Sequence, residues 1–310
     1  MNRQNAYRYL FPIGCFNGIA GTFLWIAFRM GWLENYPAGD HANLMIGGFL
    51  LSFAQGFLWT ALPRFLQAPM PEEGELRLLT GILALSSILG ILRMPRSFYI
   101  CTSAALLLTL RFGWRRFHLR RVHPPATLLF VPMGLLGTLF ALLLLALPEE
   151  ANLTPLLLTF ARNFYLKGLT LCLILGIGSR LIPALLEHGS LPTEQTASSP
   201  IGNLRAILSV SLLILGIFFE SSGRVPIAGF LLTLALMLAA LGQLKLTRLP
   251  AVRSALSWSV WVSCWITCLS PLTLCLLPSY ATHFWHMVFI SGFGLLTLAD
   301  RKSTRLNSSH

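Results

Sequence analysis

Two apolar segments of this chain begin with histidine, a residue whose imidazole binds transition metals. His41 opens one segment, and His283 and His286 stand at the start of another. His283 and His286 are three residues apart and would share one helical face, while Met45 follows His41 at the equivalent spacing of four. Imidazole with thioether sulfur suits copper, and paired imidazoles from different helices suit haem iron. The sequence therefore predicts a metal or haem site that uses these four residues.

The same residue types also have simpler roles in membrane helices, and both interpretations stay open at this point. A histidine at a helix end is often only an interfacial residue, and methionine at helical spacing usually fills a core. Arg162 and Lys167 either extend to the membrane interface or hold an acidic group such as a haem propionate or a lipid headgroup. Cys264 and Cys268 either bind copper(I) or pack as small apolar side chains. Arg162 is thus a candidate cofactor-binding residue.

The segment that His41 opens carries polar side chains at membrane depth. Asn43, Ser52 and Gln55 lie inside an apolar stretch that ends at Arg64. Polar groups at this depth are costly, so they usually face other helices or a ligand. We therefore expect this helix to form one wall of a site. A polar path along it would also suit a transporter or channel.

The composition is that of a protein that crosses a membrane many times. Of 310 residues, 55% are hydrophobic and 11% are charged, whereas soluble domains carry about 25% charged residues. Long continuous apolar segments favour helices over the shorter, alternating strands of a membrane barrel. We expect one all-α membrane domain over residues 1–299, a polytopic transmembrane helical bundle with about ten spans. The segments are 10–29, 42–62, 78–93, 97–113, 126–147, 159–183, 204–219, 225–243, 255–277 and 280–299.

The basic residues indicate topology rather than nucleic-acid binding. The net charge is +12, but the basic residues stand in short loops between apolar segments. The arginine cluster from Arg111 to Arg121 places its loop, and with it the N-terminus, in the cytoplasm. This orientation puts the three candidate histidines at the outer membrane face. The expected partner is the lipid bilayer, and no nucleic acid is expected. The chain has no Gly-rich phosphate loop or HExxH motif, so no catalytic activity is indicated.

The final residues do not continue this pattern. The peptide DRKSTRLNSSH, residues 300–310, resembles the translation of a common sequencing adapter. We therefore expect the natural sequence to depart from the printed one after residue 299. His310 is left out of the candidate site for this reason.

Four patches together resemble the NnrS family of bacterial membrane proteins. They are RYLFPIGCFNGIAGTFLWIAF (8–28), HANLMIGGF with GFLWTALPRF in the His41 segment, GIGSRLIPALLEHG (176–189) and HFWHMVFISGFGLLTLADR (283–301). The resemblance implies about twelve helices, bound haem and copper, a place in the bacterial inner membrane and a role in the nitric oxide response. It gives His41, His283 and His286 as ligand positions. The family's phrase after the first histidine is HxHEM-like, and here Asn43 and Leu44 replace its second histidine and its glutamate.

Three functions are compatible with these features. One is a haem- or copper-containing protein that contributes to tolerance of nitric oxide. The second is a transporter or channel with a polar path along the second helix. The third is a helper in the assembly of a respiratory oxidase.

Overall fold

The computed structural model describes residues 5–124, 126–186, 200–242, 244, 246–251 and 254–294. This part of the chain is built from helices and the turns that join them, and it contains no strand. The all-α fold class that the sequence predicts is therefore confirmed. The predicted non-native tail, residues 300–310, lies outside the described residues.

Ten helical segments correspond to the ten predicted spans. They are α1 (Tyr7–Arg29), α2 (Ala38–Leu66), α3 (Glu73–Ile91), α4 (Pro95–His118), α5 (Ala126–Ala146), α6 (155–185), α7 (Pro200–Ser221), α8 (Val225–Gly242), α9 (Ala255–Leu269) and α10 (281–294). Eight helices in the described residues are long and apolar enough to cross a membrane. The two that do not qualify are α4, which carries four arginines, and α10, which is described only to Gly294.

Local sequence signals explain where several helices begin. Helix α3 starts with a capping box, in which the Glu72 side chain binds the Glu75 backbone N–H and the Glu75 side chain binds the Glu72 N–H. Helix α4 starts with Pro95, whose fixed φ suits a first helical turn and whose missing N–H is not needed there. Helix α9 is capped by Ser254, which accepts a hydrogen bond from the Ser257 backbone.

The helices form two compact units. The first consists of residues 1–124 and 135–162, and the second consists of residues 125–134 and 163–310. In the first unit α2 is the central helix, since 78% of its membrane-length window is buried, against 28% for α1 and 33% for α3. This burial agrees with the expectation that α2 is a wall within the bundle rather than a lipid-facing anchor.

Glycines allow α1 and α2 to pack closely within the first unit. A Cβ at Gly14 would lie 2.5 Å from the Phe53 ring, and one at Gly48 would lie 2.6 Å from the Asn17 side chain. Small residues at such crossings let two helix backbones approach, which is how membrane helices gain packing energy in the absence of a hydrophobic effect between them. The carboxamide Nδ2 of Asn17 also donates to Ser87 on α3 at 2.7 Å, so it joins a third helix to the pair.

The second unit uses the same kind of contact. Helices α7 and α8 form an antiparallel hairpin in which a Cβ at Gly216 would lie 2.7 Å from Leu232. Helix α8 in turn approaches the chain that follows α9, because Gly229 faces the Pro271 carbonyl at a Cβ distance of 2.6 Å. The indole of Trp261 on α9 donates to the Leu246 carbonyl at 3.0 Å and fixes the chain between α8 and α9.

Candidate functional site

Three stretches of the described chain are π-helical rather than α-helical, and each adjoins candidate site residues. Asn43–Leu50 follows His41 and contains Met45. Phe164–Gly168 follows Arg162. The third, Val288–Gly294, follows His286. π-Helical turns are less stable than α-helical ones and occur frequently at functional sites, where they redirect side chains. The backbone thus departs from regular geometry at the segments that the sequence singles out.

His41 is held by the preceding helix. Its Nδ1 lies 2.9 Å from the carbonyl oxygen of Gly21 and 3.0 Å from the indole Nε1 of Trp25, both on α1. The Trp25 and His41 ring centroids are 5.1 Å apart. Both polar contacts use Nδ1, and in the tautomer that donates to Gly21 the other ring nitrogen, Nε2, carries the lone pair. A backbone carbonyl on one ring nitrogen is the common arrangement of a metal-ligating histidine.

Met45 lies beside the same glycine. A Cβ at Gly21 would lie 3.2 Å from the Met45 Sδ and 3.2 Å from the Leu44 Cβ. The half-buried thioether and the His41 imidazole therefore meet α1 at one position. The structure brings these two predicted site residues together, although Met45 also packs there as an ordinary core side chain would.

The charged residues near His41 are arranged around the beginning of α2. Asp40 is engaged by Arg93, whose Nε donates to its carboxylate at 2.6 Å. Arg162 is exposed, and its Nη2 lies 3.9 Å from the position of a Cβ at Gly39. Arg162 thus lies within the first unit, near the residues that precede His41.

His283 and His286 lie on α10 in the second unit, and both are exposed. The Nδ1 of His286 lies 2.7 Å from the carbonyl oxygen of Thr282, one turn earlier. Its Nε2 is therefore the nitrogen that a ligand can reach, as it is for His41. The His283 ring packs against Tyr280 with 5.8 Å between centroids. Their shared role with His41 stays a prediction, because the two sets of residues belong to different units.

Lys167 has an acidic partner, Glu220, that the sequence alone does not indicate. The Nζ of Lys167 contacts Glu220 Oε1 on α7 at 2.5 Å, so this lysine has an acidic partner within the protein. Glu220 stands in the sequence FFESSGR at the end of an apolar run, where a glutamate looks like a loop residue. The sequence indicates this pair only in that a basic and an acidic residue each stand near the end of an apolar segment.

The polar residues of α2 are used in helix contacts. Gln55 is fully buried, and its Nε2 donates to Thr109 Oγ1 at 3.0 Å and to the Ala105 carbonyl at 3.3 Å on α4. The indole of Trp59 donates to the same Thr109 hydroxyl at 3.1 Å. Ser52 is also fully buried. Gln55 and Trp59 thus join α2 to α4 through hydrogen bonds, whereas the Ser52 hydroxyl has no hydrogen-bond partner within the described residues.

The donors around His41 fit haem or copper in part. One imidazole with its orientation fixed can serve as an axial haem ligand, and imidazole with a neighbouring thioether suits copper(I). A closed site of three or more His, Cys, Asp or Glu residues does not occur among the described residues. Asn43, in the position where the family phrase has a histidine, is buried, and its Nδ2 lies 3.4 Å from the Tyr99 hydroxyl. His41 and Met45 would therefore supply only one or two ligands to a metal, not a complete coordination sphere.

Comparison with known proteins agrees with this architecture. A family model described as NnrS protein matches residues 3–299. No curated protein and no solved structure gives a significant match to the chain. Because the match covers nearly the whole chain and the helices are those of a multi-pass membrane protein, this protein belongs to the NnrS family.

Proposed function

We propose that this membrane protein binds haem or copper through His41 and contributes to tolerance of nitric oxide. The observation that supports it is the contact between His41 Nδ1 and the Gly21 carbonyl at 2.9 Å, which presents Nε2 as a ligand. Bound haem iron or copper(I) would supply a centre to which nitric oxide binds. The protein's own contribution is to orient the imidazole against α1 and, in the tautomer that donates to Gly21, to leave the lone pair on Nε2.

Other residues have roles that follow from their position. Met45 would supply a soft second donor beside His41, and Arg162 would neutralise a haem propionate near the beginning of α2. His283 and His286 would supply further imidazole ligands from α10. We also propose that the protein lies in the bacterial inner membrane with a cytoplasmic N-terminus, which would place these ligands at the outer face.

The experiment compares purified full-length protein with the variants His41→Ala and His118→Ala. His118 is an exposed histidine at the end of α4, so it controls for the loss of any histidine. Haem is measured by the Soret absorption and copper by elemental analysis. We expect His41→Ala to lose most of the bound cofactor while His118→Ala retains it. Wild-type protein that is folded but carries neither haem nor copper would contradict the proposal.

Survival under nitric oxide tests the physiological half of the proposal separately. Cells that lack the protein are complemented with wild type, His41→Ala or His118→Ala and exposed to a nitric oxide donor. We expect wild type and His118→Ala to restore growth and His41→Ala to fail. Equal growth of all three complemented strains would show that tolerance does not depend on the His41 site.

A further inference from the structure

A buried ion pair lies against the helix that carries His283 and His286. The side chains of Lys167 on α6 and Glu220 on α7 are only 15% and 6% exposed, and their Nζ and Oε1 atoms are 2.5 Å apart. Placing two charges at such a site has a large desolvation cost, which the attraction offsets only when the geometry is good and further hydrogen bonds are made. Ionisable residues inside membrane helices are therefore candidates for a functional role.

Trp285 supplies the further hydrogen bond. Its indole Nε1 donates to the same Glu220 Oε1 at 3.0 Å, and Lys167 Nζ lies 5.0 Å from the centroid of its ring. The Trp285 side chain is buried, with 4% of its surface exposed, whereas His283 and His286 on the same helix are exposed. The two charged groups therefore hold the inward face of α10 by both a hydrogen bond and a cation–π contact.

The surrounding backbone supports this arrangement. Lys167 belongs to the π-helical turn Phe164–Gly168, which alters the direction of its side chain relative to a regular helix. One turn earlier, Asn163 Nδ2 donates to the Ser221 hydroxyl at 3.0 Å, next to Glu220 in the chain. The turn is thus fixed to the end of α7 at two successive positions.

We infer that Lys167 and Glu220 are positioning residues, which set the rotation of α10 and thereby the direction of His283 and His286. The Lys167 and Trp285 contacts both use Oε1 of Glu220. The other carboxylate oxygen, Oε2, has no hydrogen-bond partner within the described residues. A rotation of α10 would separate the Trp285 indole from Oε1 and leave the buried charges less well satisfied. The role of His283 and His286 as ligands rests on the proposed function. The inference that Lys167 and Glu220 fix the direction of these histidines does not depend on it.

The test uses variants that keep the protein folded. Removing one charge leaves the other buried and unpaired, so Glu220→Gln alone can fail to fold. The double variant Lys167→Met, Glu220→Met removes both charges at similar volume and is expected to fold. Trp285→Phe keeps an aromatic ring but removes the indole donor and some buried volume. The control is Glu73→Gln with Arg77→Gln, an ion pair in which both side chains are exposed.

Two properties are measured for each variant: the reactivity of the two histidines and the binding of the cofactor. Modification of His283 and His286 by diethyl pyrocarbonate, resolved by mass spectrometry, reports their direction without any cofactor. We expect their relative reactivity to change several-fold in the double variant and in Trp285→Phe, with His118 unchanged. In protein with bound haem or copper, we expect an altered optical or paramagnetic spectrum and an affinity lower by about tenfold.

The outcomes separate this inference from the proposed function. Unchanged histidine reactivity in folded double-variant and Trp285→Phe proteins would overturn the inference, whatever the cofactor content. Changed reactivity in a protein that binds no cofactor would support the positioning role and contradict the proposed function. A change in the control variant equal to that in the double variant would also overturn the inference.

Discussion

The imidazole of His41 is bound to the backbone of Gly21 on the neighbouring helix, with Nδ1 2.9 Å from the carbonyl oxygen. A carbonyl only accepts hydrogen bonds, so this contact requires a proton on Nδ1 and leaves the lone pair on Nε2. The Trp25 indole, 3.0 Å from the same Nδ1, requires the opposite tautomer, since it donates. The two contacts exclude each other, and a metal at Nε2 would select the Gly21 contact.

Trp25→Phe is expected to strengthen cofactor binding. The variant removes the indole N–H that competes for Nδ1 and keeps an aromatic ring in place. A hydrogen bond contributes about 1 kcal/mol, so the gain in affinity is about fivefold. Titration of cofactor-free protein with copper(I) or haem measures it. Unchanged or weaker binding would show that the Trp25 contact does not oppose ligation.

Gly21→Ala is expected to weaken both packing and cofactor binding. The added Cβ would lie 3.2 Å from Leu44 Cβ and from Met45 Sδ, so α1 and α2 must separate slightly. Overpacking of this kind costs about 1–3 kcal/mol. Thermal unfolding in detergent and cofactor titration measure the two effects. Gly81→Ala on α3 is the control, because nothing lies within 4 Å of its Cβ position. A Gly21→Ala protein as stable as the control would contradict the close approach.

Arg116→Gln is expected to destabilise the first unit strongly. The guanidinium is 5% exposed and contacts both carboxylate oxygens of Glu75, at 2.6 and 3.0 Å, and its Cζ lies 4.0 Å from the Phe112 ring centroid. Loss of one partner that leaves a buried charge unpaired costs about 3–5 kcal/mol. Arg115 lies 3.2 Å from Glu75 Oε1 and would keep the carboxylate partly paired, so this range is an upper bound for Arg116→Gln. Arg77→Gln, from an exposed pair with Glu73, should cost less than about 0.5 kcal/mol. Equal melting temperatures of the two variants would contradict the structural role of Arg116.

Arg162→Gln is expected to separate haem from copper binding. If Arg162 neutralises a propionate, the variant should lower haem affinity by several-fold while leaving copper(I) affinity unchanged, because copper has no acidic group for the arginine to bind. Arg121→Gln, an exposed arginine after α4, controls for net charge. Parallel loss of both cofactors would instead indicate a general effect on the fold.

The sequence was sufficient for the fold class but less so for helix boundaries. Ten apolar segments predicted ten helices, and polar residues within α2 predicted its burial. The predicted third span began at residue 78, whereas α3 begins at Glu73. The first turn of α3 carries Glu73 and Glu75, so its hydropathy is too low to be counted with the apolar segment. The capping box nevertheless begins the helix there. The sequence did not indicate the three π-helical stretches of the described residues.

The residue types and their spacing indicated candidate site residues, whose role as ligands stays a prediction, but not the side chains that contact them. His41 and Met45, four residues apart and thus on one helical face, both lie beside Gly21. Glu220 could not be found, because a buried acid at a helix end is distinguishable from a loop acid only once its partners Lys167 and Trp285 are seen. Long-range pairs of this kind depend on which helices are neighbours, and hydropathy does not encode that.

Pulsed electron paramagnetic resonance reports whether His41 ligates the cofactor through Nε2. In copper(II)- or haem-loaded protein this method detects the remote, non-ligating nitrogen of a bound imidazole. We expect such a signal in wild type and in His118→Ala, with the hydrogen bond of Nδ1 to Gly21 visible in its coupling. In His41→Ala we expect this component to be lost, while any component from His283 and His286 remains. An identical signal in folded, loaded His41→Ala protein would contradict the claim.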